Sequence, residues 1–206
     1  MMTLLFATHN DHKVEELNQL LPDSISLISL NDIGCKVEIK ETGVTLEENA
    51  KIKADYSRMK FGLDCFADDS GLEIEALDGA PGVYSARYGG EERDMDKNIK
   101  KVWNELKGNQ NTRAWFRTVF YLHFESKEYV FRGRVNGSII FEKRGAKGFG
   151  YDPIFIPKGY QKTFAELGDE VKNKIGHRAI ATQSMIKVLG SQTQGSTFPF
   201  TSRWIP

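Results

Sequence analysis

Four groups of polar residues in this chain have the types and spacing to do chemistry. Asp68 and Asp69 stand side by side in FADDSGL, residues 66–72, where an apolar run meets the turn residues Ser70 and Gly71. Carboxylates at a strand end, followed by a tight turn, suit a divalent cation; a solvated turn is the alternative. Side chains alternate faces along a strand, so two adjacent aspartates should play unequal parts. Glu41, just ahead of a helix, is a second carboxylate that could be directed at a metal. The run Thr8-His9-Asn10-Asp11-His12-Lys13 follows a short apolar strand and opens a helix. A helix N-terminus offers unpaired N–H groups and partial positive charge to an anion, and Thr8, Asn10 and Lys13 add donors. The GxxxxGK[ST] pattern is absent, so this is not a P-loop. Phe149 lies in the glycine-rich stretch GAKGFGYD, residues 145–152, where an exposed ring could stack on a planar base. Lys172, His177 and Arg178 add further donors. Phosphate, metal and base are together the parts of a nucleoside triphosphate.

The elements that must position these groups can be read in order. Thr3–Ala7 is a compact apolar run that reads as a buried strand, and Val14, Leu17, Leu20 and Leu21 recur at helical spacing after it. Ile25–Leu30 alternates as a second strand. Thr45 and Glu48 form a capping box for a helix over 46–61. Cys65–Ala67 leads into the aspartates as a strand, and Leu72–Leu77 reads as a separate one. Residues 91–107 form a helix with Ile99, Val102, Trp103 and Leu106 on its apolar face. Ala114–Phe124 and Tyr129–Val135 make a hairpin, Asn136-Gly137 is a strong turn signal, and Ser138–Phe141 extends the sheet. Pro153–Ile156 reads as a strand, Thr163 and Glu166 as another capping box, and 169–189 as one long helix. Strands and helices alternate first and strands cluster later. That pattern predicts an α/β fold with two lobes, a central mixed sheet, flanking helices and a cleft between the lobes. Residues 1–190 form the domain, and 191–206 are a Ser/Thr/Gln-rich tail ending in Phe198, Phe200 and Trp204.

Composition narrows the class. The chain has 206 residues, 40% hydrophobic and 27% charged, with 28 basic and 28 acidic side chains. No global field points to nucleic acid or a membrane. Two cysteines, Cys35 and Cys65, make neither a metal spacing nor a disulfide framework. The N-terminus reads as a strand rather than a signal peptide, and no apolar run approaches the roughly 20 residues that span a bilayer. A cytoplasmic protein is expected.

The segments ATHNDHKVEEL, ETGVTLEENAKIKA, FADDSGLEIEALDGAPGVYSARYGG, GFGYDPIFIP and KTFAEL with VKNKIGHRAIA, in that order, resemble the inosine-triphosphate pyrophosphatase family, also called dITP/XTP pyrophosphatases. The resemblance runs from residue 4 to about residue 189. It implies a two-lobed α/β fold, usually a homodimer. It also implies Mg2+-dependent hydrolysis of ITP, dITP and XTP, which are non-standard purine triphosphates, to the monophosphate and pyrophosphate. Carried onto this chain, it makes Thr8 to Lys13 the phosphate-binding run. Asp69 becomes the general base and a metal ligand, with Asp68 beside it, and Ser70 a substrate contact. Phe149, Gly150, Tyr151 and Asp152 line the base pocket, which Lys172, His177 and Arg178 complete. Glu41 is the second metal ligand. Two positions depart from the pattern: many members have Gly where this chain has His9, and two acidic residues where it has Lys40-Glu41.

Overall fold

The computed structural model describes residues 2–193. Its six strands are β1 (Met2–Phe6), β2 (Ile25–Ser29), β3 (Cys65–Ile74), β4 (Arg113–Phe124), β5 (Lys127–Ile139) and β6 (Phe155–Pro157). Its helices are α1 (Asp11–Asn18), α2 (Leu46–Phe61), α3 (Met95–Leu106), α4 (Phe164–Leu167), α5 (Asp169–Ile175) and α6 (His177–Thr193). The strands form one mixed sheet in the order β2-β1-β3-β4-β5-β6. The pairs β1–β2 and β1–β3 are parallel, and β3 through β6 are antiparallel. This is the α/β architecture that the alternating pattern predicts.

The long central strands are buried on both faces, so their two sets of alternating residues enter different cores. Phe66 of β3 packs with Phe6, Phe120, Phe131, Ala181 and Met185, beneath α6 and α1. Ala67, the next residue, packs with Ala50 and Ala54 of α2, and with Val119 and Tyr121. A third core holds Leu72, Ile74, Ile99, Phe116 and Phe155, towards α3 and β6. Both capping boxes are present, at Thr45/Glu48 and Thr163/Glu166.

Several boundaries differ from the sequence-based expectation, for two kinds of reason. Two glycines serve close approach rather than a turn, and a third ends a helix. Ser70 and Gly71 stay inside β3, which pairs with β4 without a break from Cys65 to Ile74. A Cβ at Gly71 would lie 2.3 Å from the Gly82 carbonyl oxygen, so glycine admits the loop that crosses there. Asn136-Gly137 stays inside β5, where a Cβ at Gly137 would lie 2.2 Å from the Ile156 carbonyl oxygen of β6. Gly176 ends α5 with ψ 155°, which splits the expected long helix and makes His177 the first residue of α6. The other differences are shifts of element ends. α1 stops at Asn18, α3 begins at Met95 behind its cap Asp94, and Glu75–Leu77 is a single 3-10 turn. Asp152–Ile154 is another such turn, with β6 after it. α6 runs on to Thr193, and the expected tail residues Phe198, Phe200 and Trp204 lie outside the described residues.

Candidate active site

A cleft of about 1160 Å³ runs beside the middle of the sheet. It is lined by every site residue named from the sequence except Asp68, which is buried beneath it.

At the N-terminus of α1, the Asn10 side chain accepts from the Lys13 amide at 3.3 Å, which fixes the first turn. Thr8 Oγ1 accepts from the Asn10 amide. His9 Nε2 lies 2.8 Å from the Cys35 carbonyl oxygen, and Asn31 donates to both the His9 carbonyl and Asp11 Oδ1. The phosphate-type loop is therefore tied to the segment that leads to Glu41. His12, which lines the same cleft, stacks its ring on Phe149 with centroids 5.6 Å apart.

Strand alternation separates the two aspartates. Asp68 points towards α1 and α6. It accepts from Lys13 Nζ at 2.8 Å and from Ser70 Oγ at 2.8 Å, with Arg178 Nε 3.5 Å away. Burial pushes its pKa up, but Lys13, Arg178 and Lys53 outweigh burial and hold the carboxyl far below the usual carboxylate range. Asp69 points towards α2. Asn49 Nδ2 donates to it at 3.1 Å, and Lys53 Nζ stands 3.9 Å away, hydrogen-bonded to Glu41. Burial pushes Asp69 up to about 6, against Lys53 and with help from Glu41. An ordinary aspartate near pH 4 would be a weak base at neutral pH; burial makes this one stronger. Glu41 also has Arg87 at 3.8 Å.

The donor set fits Mg2+. Two carboxylates from different elements converge on one ammonium, Lys53, so the structure already places positive charge between Glu41 and Asp69. All-oxygen coordination suits a hard divalent ion that keeps several waters.

At the other end of the cleft, Phe149 is framed by cations: Lys172 Nζ is 4.5 Å and Arg178 Cζ 5.2 Å from its ring centroid. Asp152 Oδ2 accepts from the Phe149 amide at 2.9 Å and from Lys172 Nζ at 2.7 Å, which fixes both ring and ammonium. Tyr151 donates to the Ser85 carbonyl at 2.8 Å and so acts as a wall. The positive φ of Gly150, 68°, lets the chain turn between Phe149 and Tyr151. His177 stacks on Phe116 at 5.0 Å, and its buried Nδ1 has no hydrogen-bond partner among the described residues. Burial, then the charges of Arg178 and Lys172, push its pKa well below the usual imidazole value, so the ring is neutral. A buried polar atom left unpaired beside a cleft is a position for a ligand to complete.

The chain belongs to the Ham1 family. The family model matches residues 4–188. A dITP/XTP pyrophosphatase of Flavobacterium johnsoniae is 51% identical over 91% of this chain and 98% of its own length. The dITP/XTP pyrophosphatase of Bacillus subtilis is 47% identical over 92% and 98%. The solved HAM1 protein of Coxiella burnetii superposes with a TM-score of 0.85 at 38% identity, covering 93% of this chain and all of that one. The recognised segments and the mixed-sheet fold are thus those of the Ham1 family.

Several residues of the site were not assigned to it from the sequence, and Lys53 was read only as one that reaches a phosphate or is solvated. Glu16 is buried and accepts from Arg178 NH1 at 2.9 Å, with Lys172 Nζ at 3.7 Å, so it aligns both cations of the base end. It stands three residues after Lys13, on the same side of α1. Asn49 and Lys53 are four apart on α2 and both reach Asp69. That helical spacing was available in the sequence as a signal. Thr118, 2.6 Å from Ser70 Oγ, sits directly opposite it in the strand register, which only the sheet reveals.

Proposed function

We propose that the chain hydrolyses dITP, XTP and ITP to the nucleoside monophosphate and pyrophosphate, with Mg2+, as a cytoplasmic homodimer. The observation that carries this reading is one cleft with two unlike ends. A carboxylate pair, buried Asp69 and half-buried Glu41, lies at one end, and an aromatic ring, Phe149, framed by Lys172 and Arg178 with His177 also lining the cleft, at the other. The relatives that bear the name dITP/XTP pyrophosphatase share this chain nearly end to end.

Asp69 accepts a proton from the attacking water, or orients it, as the bond between the α- and β-phosphates breaks and pyrophosphate departs. When bound between Glu41 and Asp69, Mg2+ supplies charge neutralisation to the phosphates. Lys13 and the α1 amides hold phosphate oxygens, and Asp68 keeps Lys13 in place from below.

The base preference follows from donors and acceptors. Hypoxanthine and xanthine present a 6-oxo acceptor, and adenine a 6-amino donor. Arg178 and Lys172 are donors only, so they satisfy the first and leave the second unpaired. Guanine shares the 6-oxo group, so discrimination against GTP rests on its 2-amino group. The test is pyrophosphate release from ITP, XTP, dITP, GTP and ATP, with and without Mg2+. Faster release from the first three, dependent on Mg2+, supports the reading; equal rates with ATP reject it. Sedimentation of the pure protein tests the dimer.

A further inference from the structure

We propose that His123 and Glu128, with Asp55 behind the imidazole ring, form a second metal site, for a borderline divalent ion such as Zn2+, Ni2+ or Co2+, which ties α2 to the β4–β5 hairpin. None of the three lines the cleft. They come from three elements, each fixed by packing. His123 and Glu128 are directly opposed in the β4–β5 register, and α2 lies across that face of the sheet through Ala50, Ala54 and Tyr121. One ligand atom from each lies within 4.8 Å of the other two.

The hydrogen bonding around the ring is what points to a cation. His123 Nε2 is 2.7 Å from Asp55 Oδ1, and His123 Nδ1 is 3.8 Å from Glu128 Oε1. A neutral imidazole has one N–H to give. Once Asp55 takes it, the Nδ1 lone pair and Glu128 Oε1 face each other, and either a proton or a metal ion between them removes their repulsion. The outer oxygens are already committed: Lys51 Nζ donates to Asp55 Oδ2 at 2.8 Å, and the Tyr121 hydroxyl donates to Glu128 Oε2. These bonds turn the remaining oxygens, Oδ1 and Oε1, towards the ring. A carboxylate that holds one imidazole nitrogen while the other binds metal is a recurrent arrangement in metal sites. The His123 side chain is 12% exposed and that of Glu128 54%, so the ring is held in protein while one side is open for water to complete the shell.

Imidazole with carboxylate favours Zn2+, Ni2+ or Co2+ over Mg2+. The two sites therefore differ in ion: the all-oxygen pair in the cleft takes the hard ion, and this cluster takes the borderline one. The nearby Lys51 charge weakens binding, so micromolar affinity is expected rather than the tight binding of a structural zinc site.

The test keeps Mg2+ in large excess, to occupy the cleft carboxylates, and titrates Zn2+ or Co2+ into the full chain. One ion per chain is expected, with a rise in Tm of a few degrees and, for Co2+, new visible absorption. His123→Ala and Glu128→Gln should each weaken binding at least about tenfold. Glu128 is largely exposed, so its variant folds, and Mg2+-dependent pyrophosphate release should be unchanged in it. Three results would overturn the proposal. Zn2+ fails to bind the wild type up to roughly 100 μM; His123→Ala binds it equally well; or NMR shows protons on both His123 nitrogens at pH 7.5 with Zn2+ present, so that a second proton fills the role given to the ion.

Discussion

Asp68 and Asp69 are neighbours in the chain, and both are buried, yet they face opposite sides of one sheet and meet opposite surroundings. On the Asp68 side, Lys13 and Arg178 both face the carboxylate, and it is held ionised. On the Asp69 side, a neutral amide and one lysine shared with Glu41 serve two carboxylates, and Asp69 rises to about 6. The two-residue repeat of the strand therefore produces two different reagents from one dipeptide. Asp68 is a fixed anchor that aligns cations. In the proposed reaction Asp69 is the base and a metal ligand.

That comparison breaks most readily at Asp69. Asp69→Asn removes the proposed base and metal ligand while keeping shape, and turnover of ITP should fall by about 10²–10⁴-fold with nucleotide binding retained. Near-normal kcat would remove Asp69 from the reaction. The fold should tolerate the change, because the lost group is a carboxylate whose charge burial already disfavours.

Asp68→Asn should behave the other way round. It leaves the charges of Lys13 and Arg178 facing a neutral amide in a buried place, at a cost of about 3–5 kcal/mol of stability. Denaturant unfolding measures this directly. A loss of stability in Asp68→Asn much larger than in Asp69→Asn supports the division of roles; equal losses would erase it.

The cleft's far end gives a smaller, more selective effect. Arg178→Ala should narrow the ITP-over-ATP ratio of kcat/KM by about tenfold, because one donor no longer rejects the 6-amino group. Arg178→Lys should recover part of that ratio, since it keeps the charge but loses the planar fork that Glu16 and Asp68 hold. An unchanged ratio in the alanine variant would refute the donor account of base choice.

How much of this was legible in the sequence depended on whether the cause was local. The capping boxes at Thr45 and Thr163 and the strand–loop–helix at Thr8–Lys13 depend on neighbours in the chain, and the structure contains them. Gly71 and Gly137 misled because their reason is another segment passing close by, which no local pattern reports. The unequal setting of Asp68 and Asp69 followed from alternation alone. The elevated pKa of Asp69 did not, since it depends on burial by α2 and on the sharing of Lys53 with Glu41. Glu16 and Thr118 were invisible for the same reason: one is defined by its partners on α5 and α6, the other by strand register.

The smallest effect concerns His177, which shares the Asp68 side of the sheet with Lys13, Lys172 and Arg178. Its folded pKa lies well below the unfolded value near 6.5, so the unfolded chain binds a proton that the folded chain refuses. Its contribution is fully present above about pH 6.5 and is lost as pH falls towards the folded pKa, at up to about 1.4 kcal/mol per pH unit. The wild-type curve alone mixes this with Asp69, whose raised pKa works in the opposite sense. His177→Gln stays neutral throughout, so the difference between the two Tm-versus-pH curves isolates the imidazole. The wild type should lose Tm more steeply than His177→Gln between pH 7 and pH 5. Parallel curves would mean that the ring accepts its proton in the folded state, and so that burial and the nearby charges of Arg178 and Lys172 oppose that proton less than their positions imply.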